Sequence, residues 1–307
     1  MDQPTVSIIL VNHNAKEMTR NCIQSIYDQT KTTSFEIILV DNNSTDGTKQ
    51  LIESKFPQVK LIENRQNKGF SYANNQAISS ASGKYLLLLN NDTVVKNEAI
   101  EKMIEHMEES PNIGVLTCKI IEPDGKLQRN CRAFPVSPFD TFFGRASLIS
   151  RIFPNNVFTR KNTMTNWDYN SVKRVDWVSG AVMLIRKKVI DNVGKLDDNY
   201  YIYWEDTDYC KRVNDAGWEI WFIPDGEIIH FSGKGGGTRS LKLKFLTLYH
   251  MHKSAYYYFL KHLYKNIFHP MAIITYVGMI LLVINKGILE IIKHFNPDYP
   301  KRGSEQK

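Results

Sequence analysis

Four short stretches of this 307-residue chain concentrate side chains that can do chemistry. Three of them end an apolar run in oxygen-bearing groups. Asn12–His13–Asn14 follows VSIILV, Asp41–Asn42–Asn43 follows EIILV, and Asn90–Asn91–Asp92 follows YLLLL. The fourth, YWEDTD, sets Glu205, Asp206 and Asp208 within four positions, behind Tyr200, Tyr201, Tyr203 and Trp204. Carboxylate oxygens suit hard cations such as Mg²⁺ or Mn²⁺, shared with waters and substrate phosphates. Asp92 is therefore a candidate ligand, with Asn90 and Asn91 adding amide oxygens or sugar hydrogen bonds. Asp41 can accept hydrogen bonds from a nucleotide base or ribose, although alone it reads equally well as a turn residue. Acidic residues are also favoured in a first helical turn by the macrodipole. Yet carboxylates beside an aromatic wall suit sugar stacking, with one of them as general base. His230 ends the run WFIPDGEII next to a glycine-rich segment, which points to a metal or phosphate role. The segment GKGGGT lacks P-loop spacing, but Lys234 and Arg239 within and beside it could reach a diphosphate.

The elements that would position these groups alternate. TVSIILVNHN, FEIILVDNN, VKLIEN and KYLLLLNND are β-branched or leucine-rich runs that read as strands. Between them, residues 15–29, STDGTKQLIESKF and GFSYANNQAISSA read as helices, with Ser44, Thr45 and Asp46 as capping residues and Pro57 as a stop. NEAIEKMIEHMEES is a further helix, and GVLTCKIIEPDGKLQ a strand followed by a turn at Asp124–Gly125. Strands alternating with helices imply an α/β fold with a mostly parallel sheet covered on both faces. Ligands of such sheets bind beyond the carboxyl ends of the strands, so the three polar triplets should share one rim. Residues 132–173 read as an irregular insertion. VDWVSGAVMLIRKKVI reads as strand, small-residue turn and strand, YWEDTDYCKRVNDAG as a helix ended by Gly217, and WEIWFIPDGEIIHF as strand.

A formal net charge of +7 favours an anionic partner. The basic residues are not gathered with a nucleic-acid motif, which disfavours nucleic acid. No GxGxxG follows the first strand, there is no zinc spacing, and no nucleophile elbow. Cys22, Cys118, Cys131 and Cys210 are spaced as buried free thiols of a reducing compartment. The N-terminal segment reads as lacking a secretory signal. From residue 241 the character changes: aromatic and basic residues interleave at helical spacing, and an uncharged run of 15 residues, Met271 to Asn285, follows. That run is short of the ~20 residues a spanning helix needs. The expectation is an interfacial or marginally spanning pair of helices over 241–295, and a disordered tail over 296–307.

In combination, VSIILVNHN, EIILVDNNSTDGT, NKGFSYANNQAI, YLLLLNNDT, VDWVSGAVMLIRK, DDNYYIYWEDTDYCKRV and IIHFSGKG resemble, in order, the inverting family 2 glycosyltransferases, and among them the rhamnosyltransferase-like members. The resemblance implies a GT-A fold over residues 1–240. It implies that Asp41, Gly69 and Asn74 serve the nucleotide-sugar donor, and Asn12, Asn43 and Asn91 on the same rim and Lys234 in the glycine-rich segment are expected to join them. It implies that Asp92 and His230 serve a divalent cation, Mn²⁺ or Mg²⁺. Asp206 is then the base and Glu205 helps to position the acceptor; Tyr203, Trp204 and Asp208, beside them in the aromatic and acidic segment, are expected on the acceptor side. Asn90 stands where the family's DxD motif has its first aspartate. The implied reaction moves a sugar, such as rhamnose from a dTDP donor, to a hydroxyl of a glycan acceptor. A lipid-linked glycan at the cytoplasmic face of the cell membrane fits the aromatic, basic and apolar C-terminus. Two rivals stay open: a sugar nucleotidyltransferase, and a membrane-associated glycan-binding protein with a decayed transferase site.

Overall fold

The structure, a computed structural model, describes residues 3–133, 137–138, 164, 167–232 and 241–295. The chain divides into two compact units. The first comprises residues 1–201 and 205–236, and the second residues 202–204 and 237–307.

The first unit begins with the alternation read from the sequence: β1 (Val6–Asn12), α1 (Lys16–Gln29), β2 (Phe35–Asp41), α2 (Thr48–Lys55), β3 (Lys60–Glu63), α3 (Phe70–Ser80) and β4 (Tyr85–Asn90). It continues through β5 (Thr93–Lys96), α4 (Ala99–Glu109), β6 (Ile113–Ile121), β7 (Leu127–Gln128), β8 (Cys131–Arg132), β9 (Lys173–Val175), β10 (Trp177–Val178) and β11 (Val182–Arg186). It closes with α5 (Lys187–Val193), α6 (Glu205–Asp215) and β12 (Glu219–His230). The main sheet runs β3-β2-β1-β4-β11-β6-β12-β5, with β7 added on β6 and β9 on β12. β3, β2, β1 and β4 are parallel, as two-sided burial and crossover helices require.

The other half is mixed. β11 runs antiparallel to both β4 and β6, and β12 antiparallel to β5. The expected second strand in VDWVSGAVMLIRKKVI is shorter than the sequence suggested. It stops at Arg186, where the chain enters α5. The reason is Arg186 itself. Its side chain is buried, and its guanidinium donates to the carbonyls of Ile113, Met107 and Ser110 and to the Tyr85 hydroxyl. The guanidinium thus binds carbonyls at the C-terminal end of α4, where the helix dipole favours a cation. The core lies on both faces of the sheet. Ile8, Leu10, Leu87 and Leu89 pack on one side, and Ile9, Ile38, Leu86 and Leu88 on the other. All four cysteines are buried free thiols.

The second unit holds α7 (Leu241–Phe259), one π-helical turn (Leu260–Tyr264) and α8 (Pro270–Phe295). α8 is longer than the uncharged run predicted. Its stretch Pro270–Ile292 is 23 residues with mean hydropathy 2.0, enough by length and composition to cross a membrane. It continues past Lys286 and Glu290 because both are met from α7: Glu290 pairs with Lys244 at 3.2 Å, and Lys286 Nζ lies 3.4 Å from His252 Nε2. Gly287 permits the close approach of the two helices, since a Cβ there would stand 2.6 Å from Phe245 Cε1.

Arg186→Met should cost about 3 kcal/mol of stability, since it leaves buried carbonyls unpaired. Urea denaturation of the two proteins measures the difference.

Candidate active site

The rim is built by register. In the parallel ladder Asn12 stands opposite Asp41, and Val11 opposite Asn90, so three polar strand ends come out side by side. The antiparallel strand β11 begins at the same edge, and the Asn90 amide donates to the Ala181 carbonyl at 2.9 Å. β12 ends there too, with His230 opposite Thr93.

Asn12 is fully buried, and its amide is spent on the protein. Nδ2 lies 3.0 Å from Asp41 Oδ1, 2.9 Å from Ser44 Oγ and 3.1 Å from Thr48 Oγ1. Oδ1 accepts from Thr19 Oγ1 at 2.9 Å and from Asn91 Nδ2 at 2.8 Å. An asparagine has two donors and two acceptor sites, so nothing remains for a ligand. Its expected place in donor binding is therefore corrected to that of a cross-link holding Asp41 and Asn91. Asp41 also accepts the amide of Ser44 at Oδ2. Asn43 is exposed, with φ of 65°, a left-handed conformation that asparagine tolerates.

Gly69 is set by sterics. Its φ is 94°, and a Cβ would lie 2.5 Å from the Tyr201 carbonyl oxygen, which itself accepts from the Phe70 amide at 2.7 Å. The glycine docks the loop before α6 onto the start of α3. Asn74 is buried on α3. Its Nδ2 donates to the Phe70 carbonyl, while its Oδ1 finds no hydrogen-bond partner.

His230 is buried, with Nδ1 2.9 Å from Gln128 Oε1. With that oxygen as acceptor Nδ1 carries a proton, and Nε2 faces the rim. Nε2 lies 3.2 Å from Asp92 Oδ1 and 3.2 Å from Asn90 Nδ2. Among the described residues no group of three or more His, Cys, Asp or Glu is disposed to hold a metal. A cation between Asp92 and His230 would thus take two protein ligands and complete its shell with waters and phosphate oxygens.

Asp206 starts α6 at the same edge. Its Oδ2 accepts the Gly180 amide at 3.1 Å, and its Oδ1 accepts the Thr207 amide at 2.7 Å and the Thr207 hydroxyl at 3.2 Å. Gly180 directly precedes Ala181, whose carbonyl holds Asn90, so Asp206 and the Asn90–Asp92 turn are separated by a single backbone link. Desolvation raises the Asp206 pKa, and the Gly180 amide, the Arg132 charge and Thr207 pull it partly back. Glu205 is buried with Oε2 unpartnered. Burial first, and then the charge of Asp206, hold its carboxyl well above the ordinary range.

Two expected acceptor residues, Asp208 and Trp204, are placed otherwise. Asp208 is fully buried, salt-bridged to Arg212 Nε at 2.7 Å and approached by the Tyr200 hydroxyl at 3.4 Å, so it cannot face an acceptor. Trp204 packs on Tyr258 and Phe259 in the second unit, with centroids at 5.2 and 5.3 Å, and its ring is a packing surface. Tyr203, also of that unit, is exposed, with φ of 65°. Lys234 and Arg239 lie outside the described residues. The sequence reading missed Gln128, Arg132 and Gly180. Their signal is long-range pairing, which no local periodicity carries.

The likeness to solved structures is one of fold. A mannosyltransferase from Pyrobaculum calidifontis, in complex with GDP-Man and Mn²⁺, superposes with a TM-score of 0.56 at 15% identity, over 98% of this chain and 77% of that one. GalNAc-T7 with UDP, GalNAc and Mn²⁺ gives 0.55 at 17% identity, over 78% of this chain and 47% of that one. The sheet and its flanking helices are those of the GT-A fold. The model of Glycosyl transferase family 2 matches residues 7–178, more than half of the chain, and the chain belongs to that family. Among curated proteins it is 26% identical over 190 residues to N-acetylglucosaminyl-diphospho-decaprenol L-rhamnosyltransferase of Mycobacterium tuberculosis, covering 58% of this chain and 61% of that protein. It is 27% identical over 174 residues to rhamnosyltransferase WbbL of Escherichia coli, covering 53% and 61%. The match therefore spans about three fifths of each relative's length.

A carboxyl whose pKa burial raises contributes stability that is present at low pH and falls as pH rises from the ordinary carboxylate range towards the raised folded-state pKa. Glu205→Gln should flatten that fall and be the more stable protein at pH 8. Denaturation midpoints at pH 5 and pH 8 for both proteins check the sign. Gly69→Ala should lose more than about 1 kcal/mol, from the forbidden φ and the clash with Tyr201 together.

Proposed function

We propose that the protein is an inverting glycosyltransferase. It moves a sugar from a nucleotide-diphosphate donor to a hydroxyl of a glycan acceptor. The observation that carries this reading is one rim with two chemically distinct acidic sites: the Asp92–His230 pair, suited to a cation, and Asp206, held by backbone amides in a partly desolvated setting. When bound there, a divalent cation would neutralise charge developing on the diphosphate leaving group. Asp41 and Asn43 serve the nucleotide end of the rim, with Asn12 and Asn91 holding its shape. Asp206 takes the proton from the acceptor hydroxyl, which attacks the anomeric carbon opposite the leaving diphosphate. One displacement inverts configuration. The raised pKa makes Asp206 a stronger base than an ordinary aspartate. Burial, and then the charge of Asp206, push Glu205 towards its neutral form, which disfavours a second negative charge beside the base.

The names of the relatives support a deoxysugar donor such as dTDP-rhamnose and a lipid-linked glycan acceptor. The second unit supports a place at the cytoplasmic membrane face. On α8, Ile273, Ile274, Val277, Ile280, Leu281 and Ile284 are exposed on one face, while Ala272, Thr275 and Met279 are buried on the other. Lys242, Lys253 and Lys265 are exposed cations of the same unit, suited to anionic lipid.

Asp206→Asn should lower kcat by about 10²-fold or more while nucleotide-sugar binding persists. A thermal-shift panel of UDP-, dTDP- and GDP-sugars, with Mn²⁺ and with chelator, reads donor class and binding together. Stabilisation by none of them, with metal present, would sink the transferase reading. Ile274→Asp with Leu281→Asp should reduce co-sedimentation with anionic vesicles, and unchanged co-sedimentation would remove the membrane assignment.

A further inference from the structure

The segment Leu127–Arg132 falls between the two acidic sites, at the edge of what the sequence presents as an irregular insertion. After β6 the chain turns through Glu122–Lys126 and returns as β7, with Gln128 opposite Ile120. β12 flanks the same strand β6, which puts Gln128 within 2.9 Å of His230 Nδ1. Two residues on, Asn130 is buried. Its Nδ2 donates to Thr117 Oγ1 at 3.2 Å and to the Cys118 carbonyl at 3.1 Å, and its own carbonyl accepts the Ser179 amide at 2.9 Å. Ser179 is the neighbour of Gly180, which holds Asp206. The segment then forms β8, an antiparallel ribbon with β10 in which Arg132 stands opposite Trp177. The Arg132 guanidinium lies 4.5 Å from the Trp177 ring centroid, a cation–π brace for a side chain that is otherwise exposed.

We propose that Gln128–Arg132 is a strap with two positioning ends: Gln128 fixes the ring of His230 on the cation side, and Arg132, braced on Trp177, presents a fixed positive charge to Asp206 on the base side. The proposal rests on the roles given to His230 and Asp206 above. A hydrogen bond to the far ring nitrogen is what orients a histidine towards a metal and sets its tautomer. Among the described residues, the ionisable groups that act on Asp206 are Glu205 and Cys210 on its own helix and Arg132 from β8, which reaches the base through the Asn130–Ser179 bond and Gly180 and is the cation of the three. Arg132 therefore favours the ionised base. Asn130, pinned between the two ends, keeps them in a fixed relation.

The ends are separable in the full-length protein. Gln128→Ala should weaken Mn²⁺ binding by about 10-fold or more, the usual cost of losing such a partner, as read by electron paramagnetic resonance of free Mn²⁺ without turnover. Gln128→Glu keeps an acceptor at Nδ1 and should bind as wild type. Arg132→Gln should move the acidic limb of the kcat/KM pH profile to higher pH, because a base that has lost its cation protonates more readily. Arg132→Lys should leave the limb in place, and neither Arg132 variant should change Mn²⁺ binding. The strap is refuted if Gln128→Ala binds Mn²⁺ as wild type, if Arg132→Gln leaves the limb unmoved, or if both variants lose metal binding and shift the limb in parallel, as general loosening of the fold would cause. If wild type takes up no Mn²⁺, or Asp206→Asn turns over normally, the underlying roles fall and the strap with them.

Discussion

One buried amide holds the rim together. The Asn12 side chain reaches Asp41, Ser44 and Thr48 through its nitrogen, and Thr19 and Asn91 through its oxygen. It therefore ties the ends of β2 and β4, and the starts of α1 and α2, to the end of β1. Such a hub is costly to leave half-satisfied in a low-dielectric setting and rigid once complete. Its completeness depends on parallel register. Only with Asn12 opposite Asp41 and Val11 opposite Asn90 do the polar strand ends arrive within reach of one amide. A slip of one residue would turn every leucine and isoleucine of β1 to the wrong face, so core packing enforces the register that the polar network uses.

The second half of the site is made differently. Asp206, Gly180 and Asn90 are linked through backbone groups, and backbone groups cannot drift as long side chains do. Antiparallel β11 makes this possible, because its first residues lie beside the last residues of β4. Charge is then graded across a short distance. Glu205 is pushed towards its neutral form by burial, whereas Asp206 is desolvated yet held back by two amides, a hydroxyl and the Arg132 charge. Two neighbouring carboxyls thus sit in different surroundings, one desolvated without a partner at Oε2 and the other desolvated but hydrogen-bonded.

The C-terminal unit obeys another constraint. α7 and α8 pack on each other through close contact at Gly287 and meet their interior charges pairwise, which leaves a broad aliphatic face on α8 exposed among the described residues of this unit. Water is a poor neighbour for contiguous apolar surface of that extent. A lipid surface would take the face without any rearrangement of the hairpin.

The sequence by itself determined the alternating strands and helices, the polar endings of β1, β2 and β4, the acidic start of α6 and an apolar C-terminal helix, though not that helix's length. Each is a local pattern of period, capping or composition, and such patterns survive being read one segment at a time. Tertiary structure decided which polar residues are used up and which face outward. Asn12 and Asp208 look as reactive as Asp92 in the sequence, yet one is saturated by five side chains and the other locked to Arg212. Trp204 looks like a free stacking surface and is packed against Tyr258 and Phe259. Gln128, Arg132 and Gly180 carry no local signal at all. Their places come from strand pairings between residues far apart in the chain, and a pairing is a property of two segments that neither one contains.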